Sequence, residues 1–235
     1  MEQKQTEISD SKIPKCIGII LDGNRRWARS KGLPTFEGHR VGYKKCKELF
    51  TWTKNAGIKN LIVYGLSTEN LKRSEEEVGH LLNLFRTVLK EELEGIMEEG
   101  VRIISAGDTA KFPQDIQNML HNIQKRSENN TPLTFVIGAP YGGRAEIIQA
   151  VNKLLMEGRK EITEEEFNKY LWTATVPDPD LIIRTGGEKR LSNFLPWQST
   201  YSELFFTDTY WPEFSEEEFL SILAEFTQRD RRRGK

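Results

Sequence analysis

The chain has 235 residues, of which 37% are hydrophobic and 29% charged, enough apolar material for the core of one domain. Its 34 Lys and Arg against 35 Asp and Glu give a net charge of −1, so composition argues against a nucleic-acid-binding protein. No segment approaches the roughly 20 apolar residues of a membrane-spanning helix. We expect a single domain over residues 1–235, cytoplasmic or at most peripheral to a membrane, with flexible tails near 1–12 and 229–235.

Six short apolar runs rich in β-branched residues predict strands. They occupy residues 16–21, 61–66, 101–105, 133–139, 181–183 and 204–206. Because helical patterns fill most of the intervening stretches, the sequence predicts an α/β fold, with a mainly parallel six-stranded central sheet and helices on both faces. Both cysteines, Cys16 and Cys46, fall within apolar patterns, which favours reduced core thiols.

Three helix starts are predicted where a hydroxyl residue precedes a glutamate by three positions, because the two side chains can satisfy free backbone N–H groups. These pairs are Ser74 and Glu77, Thr163 and Glu166, and Ser215 and Glu218. The first leads into an apolar stripe of roughly 25 residues, the longest predicted helix, which is either sheet-packing core or in part the wall of an apolar ligand cavity. Further helices are predicted over 38–55, 113–126 and 144–157.

The first predicted strand ends in a group of charged residues within 17–27. Ligands of open α/β sheets collect beyond the carboxyl ends of the strands, where Asp22 would lie. A helix starting near Asn24 would add free N–H groups. The simplest ligand for this set is Mg²⁺ on a diphosphate, with Asp22 on the metal and Arg25 or Arg26 on phosphate oxygens. The alternative is a helix cap beside a surface ion pair.

The loop after the second strand carries a second polar group. Ser67, Glu69, Asn70 and Arg73 should share the rim of the sheet with Asp22, because the carboxyl ends of parallel strands lie together. The alternative is ordinary turn chemistry, which Ser and Asn also serve.

A third polar group follows the fifth strand. Arg184, Arg190 and Ser192, with the backbone of Gly186–Gly187, are suited to hold a second diphosphate. Glu203, just before the last strand, is a candidate second metal ligand. Three phosphate-type loops, two acids and an apolar helix face together suggest a substrate with charged heads and an apolar tail.

Seven short motifs, in order from about residue 17 to residue 234, resemble those of the cis-prenyltransferase family, the isoprenyl transferases that include undecaprenyl diphosphate synthases. They are Asp-Gly-Asn-Arg-Arg-Trp-Ala, Glu-Gly-His, Ser-Thr-Glu-Asn, Tyr-Gly-Gly-Arg, Arg-Thr-Gly-Gly-Glu, Arg-Leu-Ser-Asn-Phe and Trp-Gln-x-x-Tyr-Ser-Glu-Leu. The resemblance covers nearly the whole chain.

The resemblance implies a transferase that condenses isopentenyl diphosphate with an allylic prenyl diphosphate, farnesyl or geranylgeranyl. With Mg²⁺ it would form cis double bonds, release pyrophosphate and make a polyprenyl diphosphate precursor of a lipid carrier. An apolar substrate tunnel, a homodimer and peripheral membrane contact at product release are also implied. The ending Arg232-Arg233-Gly234 resembles the family's Arg-x-Gly, which reaches a partner's active site; the alternative is a solvated basic tail.

By the same resemblance Asp22 is the catalytic and metal carboxylate, and Glu203 is a metal-linked acid. Asn70 matches the position usually given the proton-abstracting role. Because a neutral amide is a poor base, we expect Asn70 to orient isopentenyl diphosphate while a diphosphate oxygen or Asp22 relays the proton. The implied substrate-binding residues are Gly23, Asn24, Arg25, Arg26, Trp27, His39, Ser67, Thr68, Glu69, Arg73, Arg184, Arg190, Leu191 and Ser192.

The chain departs from the family pattern at several positions. Thr35 stands where many members have a diphosphate-binding arginine, so the allylic site is expected to be weaker or to use Arg29 or Arg40. Further departures are Leu71, Pro140 and Lys189, which bear on primer preference and product length. Chain length should depend on the floor of the tunnel, for which Gly65 and the face over 78–89 are candidates.

Three other functions fit parts of the sequence less well. A non-catalytic partner subunit of the same fold would tend to lose the first aspartate or the arginines, which this chain keeps. A phosphatase using Asp22 as nucleophile would need a second acid two residues later, where Asn24 stands. RNA binding rests only on the basic cluster at 229–235.

Overall fold

The computed structural model describes residues 13–230. Six strands form one sheet in the order β3-β4-β2-β1-β5-β6, and every neighbouring pair is parallel. The strands are β1 (Cys16–Ile20), β2 (Asn60–Tyr64), β3 (Val101–Ala106), β4 (Leu133–Gly138), β5 (Leu181–Arg184) and β6 (Glu203–Phe206). All six predicted strands are confirmed, with bounds that differ by no more than two residues, and the described sheet is wholly rather than mainly parallel.

Helices occupy most of the connections, as parallel strands require. They are α1 (Asn24–Ser30), α2 (Thr35–Asn55), α3 (Glu75–Thr87), α4 (Leu93–Glu98), α5 (Gln114–Arg126), α6 (Gly143–Met156), α7 (Glu164–Asn168) and α8 (Glu216–Gln228). Ser74, Thr163 and Ser215 each accept a hydrogen bond from the backbone of the glutamate three residues later. The reciprocal capping box is complete only at Thr163.

The predicted long helix is present but is not a regular α-helix throughout. A π-helical segment, Val88–Glu92, joins α3 directly to α4, so helical backbone runs from Glu75 to Glu98. Single π turns inside α-helices are frequent at functional sites. The longest uninterrupted α-helix of the described residues is α2, with 21 residues.

The two faces of the sheet are covered differently. Ile19 and Val63 point to a large core shared with α2, α3, α5 and α8. On the opposite face, Ile20 and Ile62 pack against aromatic and aliphatic side chains from irregular segments, among them Tyr141 and Phe194. The expectation of helices on both faces therefore holds fully for one face, while α6 and α7 form a smaller cluster of their own.

Parts of the predicted tails, 1–12 and 231–235, lie outside the described residues, and so does the Arg232-Arg233-Gly234 ending. Arg229 falls within the predicted flexible tail, but its side chain forms ion pairs with Glu203 and Glu225, so the prediction is wrong at this residue. Within 13–230, no helix is long and apolar enough to cross a membrane.

Candidate active site

A cavity of about 470 Å³ opens at the carboxyl ends of β1, β2 and β5, where the sequence predicts a ligand site. The predicted site residues that line it are Asp22, Gly23, Asn24, Arg25, Arg26, His39, Ser67, Asn70, Arg73, Arg184, Arg190 and Ser192. Five predicted residues are not part of the lining: Trp27, Thr68, Glu69, Leu191 and Glu203.

Asp22 is held between two arginines directly after β1. One carboxylate oxygen accepts a hydrogen bond from Arg184 at 2.8 Å, and the other lies 3.2 Å from Arg26 and accepts from the Gly23 N–H at 2.6 Å. Burial alone would raise the pKa of Asp22, but the hydrogen bonds from Arg184 and Gly23 and the two positive charges outweigh it and lower the pKa. Asp22 is therefore ionised at neutral pH.

The turn from β1 into α1 depends on close backbone packing. Gly23 has φ 103°, and a Cβ there would lie 2.7 Å from the ring of Tyr210. On α2, a Cβ at Gly42 would lie 2.2 Å from the side-chain oxygen of Asn24, so the glycine allows α2 to approach α1. The Asn24 amide donates to the Leu21 carbonyl at 2.9 Å. The Asn24 side chain thus holds the turn, and a diphosphate contact through it stays a prediction.

Arg184 organises the loop after β5. Its side chain is nearly inaccessible, and its guanidinium donates to the Arg190 carbonyl and, at 2.8 Å, to the Ser192 hydroxyl as well as to Asp22. The loop therefore folds around one buried cation that also lines the cavity. A buried arginine with fixed partners is suited to bind an anion because its geometry costs little further ordering.

The Gly186–Gly187 backbone does not fulfil its predicted role. The N–H of Gly186 donates to the Thr209 carbonyl and that of Gly187 to the Thr207 carbonyl, each at 2.8 Å. Both N–H groups are engaged and are not free to hold a diphosphate. Glycine is needed at 186 for another reason, since its φ is 85° and a Cβ would lie 3.0 Å from the backbone of Asp22.

The loop after β2 is held by reciprocal hydrogen bonds. The Asn70 side-chain oxygen accepts from the Ser67 N–H at 2.9 Å, and the Ser67 hydroxyl accepts from the Asn70 N–H at 3.2 Å. The Thr68 N–H donates to the Tyr141 carbonyl at 2.8 Å, which fixes this loop to the one after β4. Because the Asn70 oxygen is already hydrogen-bonded, its arrangement suits an orienting group better than a base.

Glu69 and Asn193 connect two of these loops outside the cavity. The Asn193 side chain donates to Glu69 at 3.1 Å. The backbone carbonyl of Asn193 accepts from the Gly143 N–H at 2.8 Å. Thr68 also hydrogen-bonds to Glu69, at 3.2 Å. These residues brace the site, which explains why the predicted Thr68 and Glu69 do not line it.

The cavity wall carries a large excess of positive charge. The described lining contains six arginines against one carboxylate, that of Asp22; the arginines are Arg25, Arg26, Arg29, Arg73, Arg184 and Arg190. Two arginines are candidates to replace the one that is absent at position 35. Arg29 lines the cavity, whereas Arg40 donates to Glu37 at 2.6 and 2.8 Å and does not line it. A ligand with several negative charges fits this wall.

His39 lies among these cations as a neutral group. Burial lowers its pKa to about 4, the charges of Arg73 and Arg25 add to the shift, and Glu77 opposes it. Arg25 also pairs with Glu77 on α3 at 3.2 Å. At neutral pH the His39 ring can donate a hydrogen bond to an anion, but it carries no positive charge.

Glu203 lies at the other end of the sheet from Asp22. It is paired with Leu181, which is level with Ile17 at the start of β1, so the rise of the strand from Ile17 to Asp22 separates the two carboxylates by on the order of 16 Å. Glu203 accepts from Arg229 at 2.7 Å. Within this chain the two predicted metal ligands are therefore not brought to the same ion.

The metal-binding capacity of the site rests on Asp22. Within 13–230 there is no group of three or more His, Cys, Asp and Glu side chains that could hold a metal. A hard cation such as Mg²⁺ prefers one or two carboxylates completed by water and phosphate oxygens. A single ionised carboxylate in a cationic cavity fits an ion that arrives with a diphosphate, and it does not fit an ion held by protein ligands alone.

A second, apolar cavity of about 30 Å³ lies behind the first. Phe50, Phe85, Val88 and Ile137 are among its lining residues, and so is Gly65. The part of the predicted 78–89 face that reaches it includes Phe85 and Val88. An open tunnel for an apolar chain stays a prediction, because this cavity is small.

Sequence reasoning missed two residues that hold the site together. The Tyr64 hydroxyl lies within 3.3 Å of the Ser192 carbonyl and 3.4 Å of the Tyr141 carbonyl, so it can donate to either loop. Glu146 is fully buried and accepts hydrogen bonds from Tyr141, Thr173 and Gln198. Tyr64 falls inside a strand pattern and Glu146 inside a helix pattern, so neither carries a sequence signal of its role.

Comparisons with known proteins agree with this geometry. The family model described as "Putative undecaprenyl diphosphate synthase" matches residues 20–234. An isoprenyl transferase of Fusobacterium nucleatum is 42% identical over 225 residues, which cover 96% of this chain and 97% of that protein. A geranylgeranyl-diphosphate-specific tritrans,polycis-undecaprenyl-diphosphate synthase of Thermococcus kodakarensis is 41% identical over 237 residues, covering 97% and 90%.

Among solved structures, lavandulyl diphosphate synthase from Lavandula x intermedia, in complex with dimethylallyl diphosphate, superposes with a TM-score of 0.92 at 32% identity. The match covers 96% of this chain and all of that one. Sequence and structure agree over almost the full length, and the chain therefore belongs to the undecaprenyl diphosphate synthase family of cis-prenyltransferases.

Proposed function

We propose that this chain is an isoprenyl transferase that condenses isopentenyl diphosphate with an allylic prenyl diphosphate in cis configuration. The reaction releases pyrophosphate and builds a polyprenyl diphosphate, the precursor of a lipid carrier. The observation that carries the proposal is the set of six arginines around one ionised aspartate, at the sheet end where α/β proteins bind ligands. Family membership and 41–42% identity to isoprenyl transferases support the same reaction.

Two diphosphates can be assigned to the two sides of Asp22. Arg26 and His39 line the side of α1 and α2, which suits the allylic diphosphate. Arg184 and Ser192 line the side of the β5 loop, which suits isopentenyl diphosphate. The sides meet at the 2.8 Å contact between Asp22 and Arg184, so the reacting ends of both substrates would lie near this pair.

The arginines supply the main electrostatic contribution. Cleavage of the allylic carbon–oxygen bond builds negative charge on the departing diphosphate, and fixed cations around it stabilise that charge without reorganising. Arg26, Arg29 and Arg25 line this side. Bound with the diphosphate and Asp22, Mg²⁺ would neutralise further charge as a Lewis acid.

The condensation also has to remove a proton from the isopentenyl unit. His39 is a weak base because its pKa is about 4, and the Asn70 oxygen is occupied by the Ser67 N–H. We therefore assign Asn70 to orienting isopentenyl diphosphate. Of the two acceptors expected from the sequence, a diphosphate oxygen suits the proton better than Asp22, because the contacts with Arg184, Gly23 and Arg26 lower the pKa of Asp22 and make it a weak base as well.

A homodimer is part of the proposal. Along α6, Ile148, Val151 and Leu155 form an exposed apolar stripe, with 59%, 37% and 64% of their surface accessible. A role of Glu203 in metal binding would need a second subunit, because its own Asp22 is at the far end of the sheet. We also propose a cytoplasmic protein that contacts a membrane peripherally when it releases its apolar product.

The test is incubation of the purified chain with radiolabelled isopentenyl diphosphate, Mg²⁺ and either farnesyl or geranylgeranyl diphosphate, followed by chromatography of the dephosphorylated products. We expect a ladder that ends at one dominant length and disappears when EDTA is added. A folded chain that incorporates no label with either primer would contradict the proposal and favour the non-catalytic partner subunit.

A further inference from the structure

The charged cavity and the apolar cavity meet at a throat of three residues. Leu21, Tyr43 and Gly65 line both cavities. Leu21 follows β1, Gly65 follows β2, and Tyr43 reaches the throat from α2. Any ligand that binds its diphosphate among the arginines and its hydrocarbon chain in the apolar cavity has to pass between these three residues.

The face of α2 that carries Tyr43 runs from one cavity into the other. His39, four residues before Tyr43, lines the charged cavity and not the apolar one, whereas Cys46 and Phe50, three and seven residues after it, line the apolar cavity and not the charged one. This spacing follows a single helix face. Tyr43 is therefore the residue of α2 at which the wall changes from polar to apolar.

The apolar cavity is closed to a substrate chain as it stands. Its volume of about 30 Å³ is far below the roughly 150 Å³ of a cavity that binds benzene, whereas the charged cavity in front of it has about 470 Å³. An isoprene unit has five carbon atoms and cannot enter such a space. Accommodation of a chain requires a side chain at the throat or in the wall to move.

Tyr43 is the largest of the three throat residues. Gly65 has no side chain, and a Cβ there would already lie 3.3 Å from a methyl carbon of Ile137. Leu21 belongs to the turn that the Asn24 amide holds at the Leu21 carbonyl. Burial raises the pKa of Tyr43, which keeps its phenol neutral between the two cavities.

We propose that Tyr43 is a specificity-determining residue whose aromatic ring limits the length of the isoprenyl chain that the apolar cavity accepts. The inference rests on the proposed function, since it assumes a prenyl diphosphate in the charged cavity. It concerns the volume of the ring and not the chemistry of the phenol. The ring therefore sets both the preferred allylic substrate and the point at which elongation ends.

The test compares Tyr43→Ala with Tyr43→Phe, which keeps the ring and removes only the hydroxyl. Two readouts are used: the chain lengths of the products, and the affinities for geranyl, farnesyl and geranylgeranyl diphosphate measured by calorimetry without isopentenyl diphosphate. We expect Tyr43→Ala to lengthen the dominant product by at least one isoprene unit. Its affinity for geranylgeranyl diphosphate relative to geranyl diphosphate should rise about tenfold, and Tyr43→Phe should match the unmodified chain in both readouts.

Unchanged product lengths and affinity ratios in a folded Tyr43→Ala variant would overturn the inference, and so would a Tyr43→Phe variant that behaves like Tyr43→Ala. If Tyr43→Ala does not fold, Tyr43→Leu replaces it, with the same direction expected. The calorimetric arm separates the two proposals. An unmodified chain that incorporates no label contradicts the proposed function, while the dependence of affinity on chain length still decides the role of Tyr43.

Discussion

Asp22 and Glu146 are two carboxylates in contrasting surroundings. The Asp22 side chain is 30% accessible and contacts two arginines, at 2.8 and 3.2 Å. Glu146 is fully buried, and its hydrogen-bond donors are the neutral Tyr141 hydroxyl, the Thr173 N–H and hydroxyl at 3.1 Å, and the Gln198 amide at 2.9 Å. The more deeply buried of the two carboxylates is thus Glu146, which does not line the active-site cavity.

The contrast distinguishes a carboxylate that can bind a ligand, Asp22, from one that stabilises the surrounding loops, Glu146. Asp22 combines ionisation, cationic neighbours and access, which a shared ligand requires. Glu146 fixes Tyr141, whose backbone N–H donates to the Leu66 carbonyl at 2.9 Å and whose carbonyl accepts from Thr68 at 2.8 Å. Through Tyr141, Glu146 therefore fixes the position of the loop after β2. A buried acid indicates a reactive group only when a ligand can reach it.

The largest effect is expected at Asp22. Asp22→Asn keeps an oxygen for Arg184 but removes the negative charge that would share Mg²⁺ with the diphosphate. We expect isopentenyl incorporation to fall by about 10²-fold to 10³-fold, the scale of losing one electrostatic group in an active site. Because the amide oxygen still accepts from Arg184 while the ion pair of this buried cation is lost, the free energy of unfolding should fall by about 1–2 kcal/mol. Steady-state assays and urea titrations check the two halves, and retention of more than a tenth of the activity would contradict the assignment.

At Glu146 we expect the main effect on stability rather than on isopentenyl incorporation. Glu146→Ala removes the acceptor of the buried Tyr141 hydroxyl and of the Thr173 N–H, at about 1–3 kcal/mol for each, and one of the two acceptors of the Gln198 amide. We expect the free energy of unfolding to fall by about 3 kcal/mol or more, measured by urea titration. Tyr141→Phe, which removes a single donor, is the matched control and should cost about 1 kcal/mol. Equal losses in the two variants would show that Glu146 is not the centre of the network.

His39 tests the electrostatics of the site through pH. Its folded pKa of about 4 lies below the unfolded value of 6.5, so the unfolded chain binds the proton first and stability falls as pH decreases through this window. We expect the unmodified chain to lose on the order of 2 kcal/mol relative to His39→Gln between pH 7 and pH 4.5. Thermal unfolding across that range measures it. Parallel pH profiles for the two proteins would contradict the lowered pKa of His39.

The smallest effect is expected at a third carboxylate, Glu203. Its pair with Arg229 is partly exposed, with 27% and 35% of the two side chains accessible, so Glu203→Gln should cost less than about 1 kcal/mol of unfolding free energy. Urea titration at low protein concentration measures it. A loss above about 2 kcal/mol would show that the pair is structural like Glu146.

Motifs and patterns predicted the strands and the polar loops well, but they predicted the contacts of individual residues poorly. The six strands and the loops carrying Asp22, Ser67 and Arg184 followed from apolar runs and the residues after them. Glu146 was missed, because a glutamate in an amphipathic helix pattern is normally solvated. The Gly186–Gly187 N–H groups were predicted to bind phosphate, yet they donate to the 207–209 segment, which lies some twenty residues away in sequence.

The sequence by itself determined the parallel α/β fold, the three polar loops and the family, because each depends on local pattern or on contiguous motifs. Only the tertiary structure decided which groups meet. It separates Glu203 from Asp22 by the length of a strand and joins Tyr43 to Leu21 and Gly65. These relations depend on strand order, register and helix packing, which bring together residues that are distant along the chain and carry no local signal.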